Sequence, residues 1–208
     1  LFATADWNLG DGLEVGDIYA QLLSKPRDSW PIVDGKPQLD TPIPDPLTPP
    51  AKAAATLSAR FERPYHMHGS IGPSAALAHF QDNTMTIHTP SQSIYPVRAS
   101  IAEGLGLGVV NVVMVHTLGA GCYGHNGADD AALDASVIAL ERPGQWIRVQ
   151  WRREEEFAYE PVGPAMLVKI AAVVDDAGLP VDWTTDVWSP VHVQRPGAPG
   201  VVMLAAQA

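Results

Sequence analysis

One glycine-rich stretch decides the fold of this chain: Gly119-Ala120-Gly121-Cys122-Tyr123-Gly124-His125-Asn126-Gly127. Residues 109–118, just before it, are almost all apolar and rich in β-branched side chains, which predicts a buried strand. Residues 128–141, just after it, carry a predicted buried stripe at helical spacing, formed by Leu133, Val137 and Leu140. The three parts together predict a strand, a tight turn and a helix.

The turn has three possible interpretations. Its spacing, Gly119-x-Gly121-x-x-Gly124, matches the dinucleotide fingerprint, in which glycines let the backbone approach a ligand and present N–H groups. However, Asp129 and Asp130 would repel a pyrophosphate, and no acidic residue ends a second strand about 20 residues later. An NAD-type dehydrogenase domain and a structural turn without a ligand therefore stay open, and a different closely approaching ligand is favoured over both.

Working outward from the turn, the pattern predicts strands and helices that do not alternate cleanly. Strands are predicted at 53–61, 74–80, 85–88 and 146–151, a helix at 97–107, and a hairpin of 166–174 with 179–188 around the turn 175–178. The helix is expected to close at Gly106 and Gly108. The predicted fold class is α+β, with mixed sheets, packed helices and strand–helix–strand units.

The first 50 residues differ from the rest. Apolar residues from Leu13 to Leu23 lie roughly at helical spacing, and six prolines stand between Pro37 and Pro50. Prolines at this density prevent a helix or an interior strand. We therefore expect residues 1–50 to form an N-terminal helix and a Pro-rich connector, and residues 51–208 to form the main domain.

Composition excludes several classes of partner. A net charge of −10, with no basic cluster beyond Arg152-Arg153, argues against binding to nucleic acid or an anionic membrane surface. We expect no membrane span, since no apolar run approaches the roughly 18 residues required. The single cysteine does not indicate a compartment, so cytoplasm and periplasm both stay open. The chain begins with Leu1, and we interpret it as a piece of a longer protein.

Histidine and cysteine offer two further candidate sites. His66 and His68 would share one face of a strand and, with another histidine, could bind zinc, although no third ligand has diagnostic spacing. Cys122 could act as a nucleophile with His125 as its base, although no cysteine-hydrolase signature surrounds it. The acidic run 154–156 is interpreted as a solvated face or the start of a helix.

Three separated stretches, in this order, resemble the first cofactor-binding domain of molybdenum hydroxylase large subunits, the xanthine dehydrogenase/aldehyde oxidase family. They are RPYHMHGSIGPSAA at 63–76, IHTPSQS at 87–93, and the glycine-rich stretch 119–130 followed by 146–157. The similarity spans about residues 50–190, and the most similar branch includes isoquinoline 1-oxidoreductase and nicotinate dehydrogenase. Residues 51–208 are accordingly expected to be part of the first molybdopterin-binding domain.

The resemblance implies roles for particular residues. Gln92 matches a glutamine that reaches toward the molybdenum centre without bonding the metal, so no direct metal ligand is expected in this chain. The family loop that passes close to the cofactor matches residues 119–124, and the resemblance implies that glycine there leaves space for it. The cofactor-binding candidates are therefore Gln92, Gly119, Gly121, Cys122, Tyr123 and Gly124.

The sequence also departs from the family pattern. Cys122 stands where phenylalanine is common, and Asn126 stands where purine-oxidising members carry glutamate, which argues against xanthine as a substrate. The usual Met-Glu-Pro is replaced by Ile71-Gly72-Pro73. The family's general-base glutamate is expected beyond Ala208, so this chain alone is expected to be inactive.

For the intact enzyme, the resemblance implies oxidative hydroxylation of a small aldehyde or N-heterocycle. The implied cofactors are molybdopterin with molybdenum, in its cytosine dinucleotide form, and [2Fe–2S] clusters on a partner. The expected partners are a small iron–sulfur subunit and the remainder of the large subunit. A non-catalytic assembly or binding domain stays open as an alternative, because the general base is not in this chain.

Overall fold

The computed structural model describes residues 16–45, 49 and 53–190. In chain order its elements are α1 (Ile18–Ser24), β1 (Ile32–Val33), β2 (Lys36–Pro37), β3 (Ala55–Arg63), β4 (Ala75–Gln81), β5 (Thr84–Thr89), α2 (Ile94–Gly104), a 3-10 helix (Val109–Asn111), β6 (Val112–His116), α3 (Ala128–Leu140), β7 (Trp146–Gln150), α4 (Arg153–Tyr159), β8 (Met166–Val174) and β9 (Pro180–Trp188). Helices and mixed sheets confirm the predicted α+β class. The described residues form two compact units, residues 16–64 with Ala165–Pro190, and Tyr65–Pro164.

The first unit is an antiparallel sheet in the order β3-β8-β9, preceded by α1 and a small hairpin. The predicted hairpin of β8 and β9 is confirmed. Asp17 caps α1, since its Oδ1 accepts hydrogen bonds from the backbone N–H groups of Tyr19 and Ala20. Part of the predicted N-terminal helix is thus observed, whereas Leu13 lies outside the described residues. In the Pro-rich segment, β1 and β2 form a two-residue ladder.

The second unit is a four-stranded sheet in the order β6-β5-β4-β7. β5 and β6 are parallel and are connected by α2, whereas the other pairs are antiparallel. The turn between β4 and β5 places Asp82 and Asn83 at φ 48° and 59°, as a tight hairpin requires. The buried core between sheet and helices includes Ala78, Met85, Ile87, Val97, Ile101, Val112, Ala131, Ala132, Ala135 and Ala139.

The predicted buried stripe of α3 is wrong. Leu133 and Leu140 are only partly buried, and Val137 is 46% exposed. The helix instead buries its small residues, among them Ala131, Ala135 and Ser136, against the sheet. Small side chains let the helix approach β4 closely, so the tightly packed face is not the face with the largest apolar residues.

The predicted buried strand at 109–118 is also only partly correct. The strand covers Val112–His116, and it lies at the edge of the sheet, where Val113 is 44% exposed. An apolar run rich in β-branched residues is typical of a strand, but it does not reveal whether both faces are covered. The preceding helix begins at Ile94, three residues before the predicted start, because proline is tolerated in a first helical turn and Pro96 lies there.

No helix in the described part of the chain is long and apolar enough to cross a bilayer.

Candidate functional site

The carboxyl ends of β5 and β6 lie side by side at one edge of the second sheet. The strands are parallel with Thr89 opposite His116, and the N–H of Thr117 donates to the carbonyl of Thr89 at 3.0 Å. The segment 90–92 follows β5, and the glycine-rich loop follows β6. These two segments touch, since a Cβ added at Gly119 would lie 2.6 Å from Cβ of Pro90. The structure therefore places the segment 90–92, called here the Gln92 turn, next to the glycine-rich loop.

The segment 66–73 packs against the same glycine-rich loop. The N–H of Ile71 donates to the carbonyl of Ala120 at 3.2 Å, and a Cβ on Gly72 would lie 2.6 Å from Cβ of Ala120. Farther along, a Cβ on Gly124 would lie 2.1 Å from Cδ2 of His68. Three stretches that are separate in sequence therefore meet at the carboxyl edge of the parallel strands, where open sheets commonly bind ligands.

The glycine-rich loop has positive φ angles, which its glycines favour and its tyrosine does not. Gly121, Tyr123 and Gly124 have φ of 101°, 52° and 146°. Tyr123 is the exception among them, since a side chain is costly at positive φ. Asn126 stabilises the loop because its Nδ2 donates to the carbonyl of Gly121 at 3.1 Å, and its Oδ1 accepts from the N–H of Ala128. The outer surface of the loop is accessible, with Tyr123 62% exposed.

The protein's own structure accounts for the glycines of the loop. A Cβ at Gly119 or Gly124 would meet Pro90 or His68, and Gly121 has a φ of 101°, which residues with a side chain rarely adopt. Space for a bound group is therefore not needed to explain glycine at these positions.

Two buried acids, one on α4 and one just after it, accept hydrogen bonds from the segment before β4, and neither was predicted from the sequence. Glu156 is fully buried and accepts hydrogen bonds from Ser70 Oγ (3.2 Å), Ser74 N–H (2.6 Å) and Ser74 Oγ (3.0 Å). Glu160, one turn later, accepts from the backbone N–H groups of His68 (2.8 Å) and Gly69 (3.1 Å). The expected helix start at 154–156 is confirmed, but the expected solvated face is wrong for Glu156.

The signal that could have identified these acids is their spacing of four residues, which places Glu156 and Glu160 on one helix face. Arg153 on the same helix strengthens the connection, since its guanidinium donates to the backbone carbonyls of Ser70 (2.7 Å) and Ile71. The segment that precedes β4 is thus attached to α4 at several points.

The zinc and nucleophile alternatives do not fit this geometry. Within residues 16–45, 49 and 53–190, no group of three His, Cys, Asp or Glu side chains can hold a metal ion. The thiol of Cys122 donates to the carbonyl of Gly124 at 3.2 Å. Nε2 of His125 lies 3.1 Å from Oδ2 of Asp129, and within the described residues no hydrogen bond joins His125 to the thiol of Cys122.

The dinucleotide alternative does not fit the topology. A dinucleotide fold places the strand before the glycine turn in the interior of a parallel sheet, beside the strand that follows the helix. Here β6 lies at one edge of the sheet, and β7, the strand after α3, lies at the other. In addition, Asp129 and Asp130 occupy the first turn of α3, as predicted, and Asp129 is buried.

A protein-family model matches most of the chain. The model described as the molybdopterin cofactor-binding domain matches residues 45–207. The chain belongs to this family. The predicted resemblance to molybdenum hydroxylase large subunits is thereby confirmed.

Relatives of this molybdopterin-binding chain are oxidoreductases. A subunit of nicotinate dehydrogenase from Pseudomonas putida is 38% identical over 134 residues, which cover 64% of this chain and 11% of that protein. The chain therefore spans about a ninth of the length of that curated relative.

Solved structures share the fold. The aldehyde oxidoreductase from Desulfovibrio gigas is 20% identical with a TM-score of 0.56, and the alignment covers 66% of this chain and 15% of that one. Quinoline 2-oxidoreductase from Pseudomonas putida 86 is 14% identical with a TM-score of 0.59, covering 66% and 18%.

The residues of the site fit a pterin better than a phosphate. The loop residues Gly119, Ala120, Tyr123 and Gly124 are exposed, and so is Gln92 in the neighbouring segment. Oε2 of Glu160 is a buried acceptor without a hydrogen-bond partner in the described part of the protein, the kind of atom that a ligand or water satisfies. Pterin rings offer N–H donors to such acceptors, whereas the acidic start of α3 disfavours phosphate. The pterin ring of the cofactor, and not its phosphate groups, therefore fits this edge of the sheet.

The acid cluster at the start of α3 makes stability depend on pH. Burial, followed by repulsion from Asp129 and Asp134, raises the pKa of Asp130 from 3.8 to about 7. The folded state therefore holds this proton more tightly than the unfolded state. The stability from protonated Asp130 is complete below pH 3.8, falls as the pH rises toward 7, and is absent above that.

We therefore expect D130N to be more stable than the wild type above pH 7, on the order of 2–4 kcal/mol, with a difference that narrows toward pH 4. Urea unfolding at pH 4.5 and pH 8 measures it. The variant D176N, at an exposed position in the β8–β9 turn, controls for the loss of one charge. Equal stability of D130N and wild type at pH 8 would contradict the assignment.

Proposed function

We propose that this chain forms one wall of the molybdopterin site in the large subunit of a molybdenum hydroxylase, with residues 51–208 as part of its first cofactor-binding domain. The observation that carries the proposal is the convergence of the segment 66–73, the Gln92 turn and the glycine-rich loop at the carboxyl edge of β5 and β6. When bound, the cofactor supplies the redox centre for oxidative hydroxylation.

In this proposal the chain's own residues bind and orient. The backbone of residues 119–124 and the exposed ring of Tyr123 would hold the pterin. The amide of Gln92 would orient the ligands of the metal by hydrogen bonding, without bonding the metal itself. Cys122 contributes a small side chain whose thiol is already engaged with the carbonyl of Gly124.

We propose an N-heterocycle or an aldehyde as the substrate. Nicotinate, named in the relative that is 38% identical, is an N-heterocycle and favours that class. The cytosine dinucleotide form of the cofactor, a small partner subunit with [2Fe–2S] clusters and the remainder of the large subunit complete the proposed enzyme. The general base would be supplied from outside residues 1–208.

The nucleotide and substrate parts of the proposal can be tested on the full-length protein, expressed with its neighbouring subunits in a host that makes the cofactor. Mild acid treatment is expected to release a cytidine nucleotide in near-equal amount to molybdenum. Oxidation assays over N-heterocycles and aldehydes should then identify a substrate. Well-folded protein that contains neither molybdenum nor nucleotide would favour a non-catalytic assembly domain instead.

The role of Gln92 has its own expected result. Replacing it with alanine should lower kcat/KM for the best substrate about 10- to 100-fold, as is typical when a group that orients metal ligands is removed. Molybdenum content of the variant is the necessary control, because it separates lost orientation from lost cofactor. Full activity of Q92A at full molybdenum content would remove Gln92 from the site.

A further inference from the structure

His68 connects the glycine-rich loop to the end of α4. Its Nδ1 lies 2.9 Å from the carbonyl oxygen of His125 and 3.0 Å from that of Pro161. Carbonyl oxygens only accept hydrogen bonds, so this nitrogen must carry the hydrogen and donate to both. The contacts therefore fix both the tautomer and the orientation of the ring.

The ring of His68 also sets the shape of the loop by direct packing. A Cβ added at Gly124 would lie 2.1 Å from Cδ2 and 2.4 Å from Nε2 of His68. Gly124 has a φ of 146°, a conformation that is essentially restricted to glycine. The loop backbone at Gly124 thus follows the surface of a ring that is itself held by two hydrogen bonds.

The backbone of His68 is anchored as firmly as its ring. Oε1 of Glu160 accepts from the N–H groups of His68 and Gly69, and Glu160 immediately follows α4. α4 is in turn tied to the segment before β4 through the buried carboxylate of Glu156, which Ser70 and Ser74 surround. The backbone of His68 is therefore positioned from outside the loop, by Glu160, whereas one of the two carbonyls that hold its ring, that of His125, belongs to the loop.

We infer that His68 is a positioning residue: it holds the turn at residues 121–124 in the conformation that binds the cofactor. The inference rests on the proposed function, because it assigns the binding surface to this loop. His68 acts through Nδ1 and ring packing, so it need not touch the cofactor. Replacing His68 should make the loop more mobile, and the protein should then retain less cofactor because the loop no longer keeps its binding conformation.

Two isosteric variants separate this role from a direct contact. In H68N the amide nitrogen occupies approximately the place of Nδ1 and can still donate to the two carbonyls. In H68Q the amide reaches the place of Nε2 and leaves the carbonyls without their donor. Both variants are made in the full-length protein with its subunits, and hydrogen–deuterium exchange is measured on peptides that contain residues 119–127.

We expect H68Q to exchange faster in these peptides and to retain about tenfold less molybdenum, in line with other groups that orient a metal site indirectly. H68N keeps the donor but loses the part of the ring that packs beside Gly124, so it should fall between wild type and H68Q in both measurements. Wild-type exchange in H68Q, or equal disruption by H68N and H68Q, would overturn the inference. Wild-type protein without molybdenum would contradict the proposed function alone, since the exchange comparison would still report on His68.

A second variant keeps the test valid should H68Q fail to fold. E160D draws the carboxylate back from the N–H groups of His68 and Gly69 while leaving the histidine ring intact. Faster exchange confined to peptides around residues 66–73 and 119–127 would support the inference. Unchanged exchange at 119–127 in E160D would contradict it.

Discussion

Replacing Glu156 with alanine is expected to destabilise the protein by about 3 kcal/mol or more, a large effect for a single substitution. The carboxylate is fully buried and is the acceptor for three donors, which belong to Ser70 and Ser74. Alanine would leave the N–H and hydroxyl of Ser74 without this acceptor, whereas the hydroxyl of Ser70 can still donate to the carbonyl of Gly72, and it would create a cavity beneath the segment 70–74. Urea unfolding monitored by circular dichroism measures the loss.

The matched control is E156Q. A glutamine oxygen can accept from the N–H of Ser74, and its NH₂ group can donate to the two hydroxyl oxygens, which rotate to accept. Only the contribution of the charge is lost, so we expect about 1 kcal/mol. A loss in E156Q as large as in E156A would show that the negative charge, and not the hydrogen-bonding shape, stabilises this site.

Replacing Gly124 with alanine is expected to cost nearly as much, about 3 kcal/mol, together with loss of bound molybdenum from the full-length protein. Two effects lower the stability of the folded protein. Alanine disfavours the backbone conformation at φ 146°, and its Cβ would lie 2.1 Å from the ring of His68. The ring cannot move aside without giving up its hydrogen bonds to His125 and Pro161.

The matched control for this prediction is G144A. Gly144 also has a positive φ, 79°, but a Cβ there would meet nothing within 4 Å. Only the backbone cost remains, about 1 kcal/mol, and molybdenum content should not change. Equal losses of stability and molybdenum in G124A and G144A would show that contact with His68 contributes nothing.

The parts of the fold that were predicted correctly are those with a strong local signal. β4, β5, β7 and the hairpin of β8 and β9 have clear apolar patterns and turn residues at their ends, such as Asp82-Asn83. The packing face of α3 was predicted wrongly because alanine is less hydrophobic than leucine and valine, which were therefore expected to be the buried residues. The small alanine side chains are what allow the helix to approach the sheet.

Only some residues of the candidate site could be predicted from the sequence. The glycine pattern drew attention to the loop, and the family resemblance made Gln92 a candidate, which stays a prediction. Neither indicated Glu156, Glu160 or the contacts of His68. The reason is distance along the chain: the carboxylate of Glu160 accepts from a backbone N–H 92 residues earlier, and that of Glu156 from one 82 residues earlier. A buried acid is recognisable only once its donors have been brought to it.

The most direct test of the central claim is the molybdenum content of the full-length protein, wild type against G124A, made with its neighbouring subunits in a cofactor-producing host. The wild type is expected to hold close to one molybdenum per large subunit. G124A is expected to retain little molybdenum, whereas G144A should match the wild type. The reason is that Gly124 belongs to the glycine-rich loop and Gly144 does not. Wild-type protein that folds, assembles and contains no molybdenum would contradict the assignment of this edge of the sheet as a molybdopterin site.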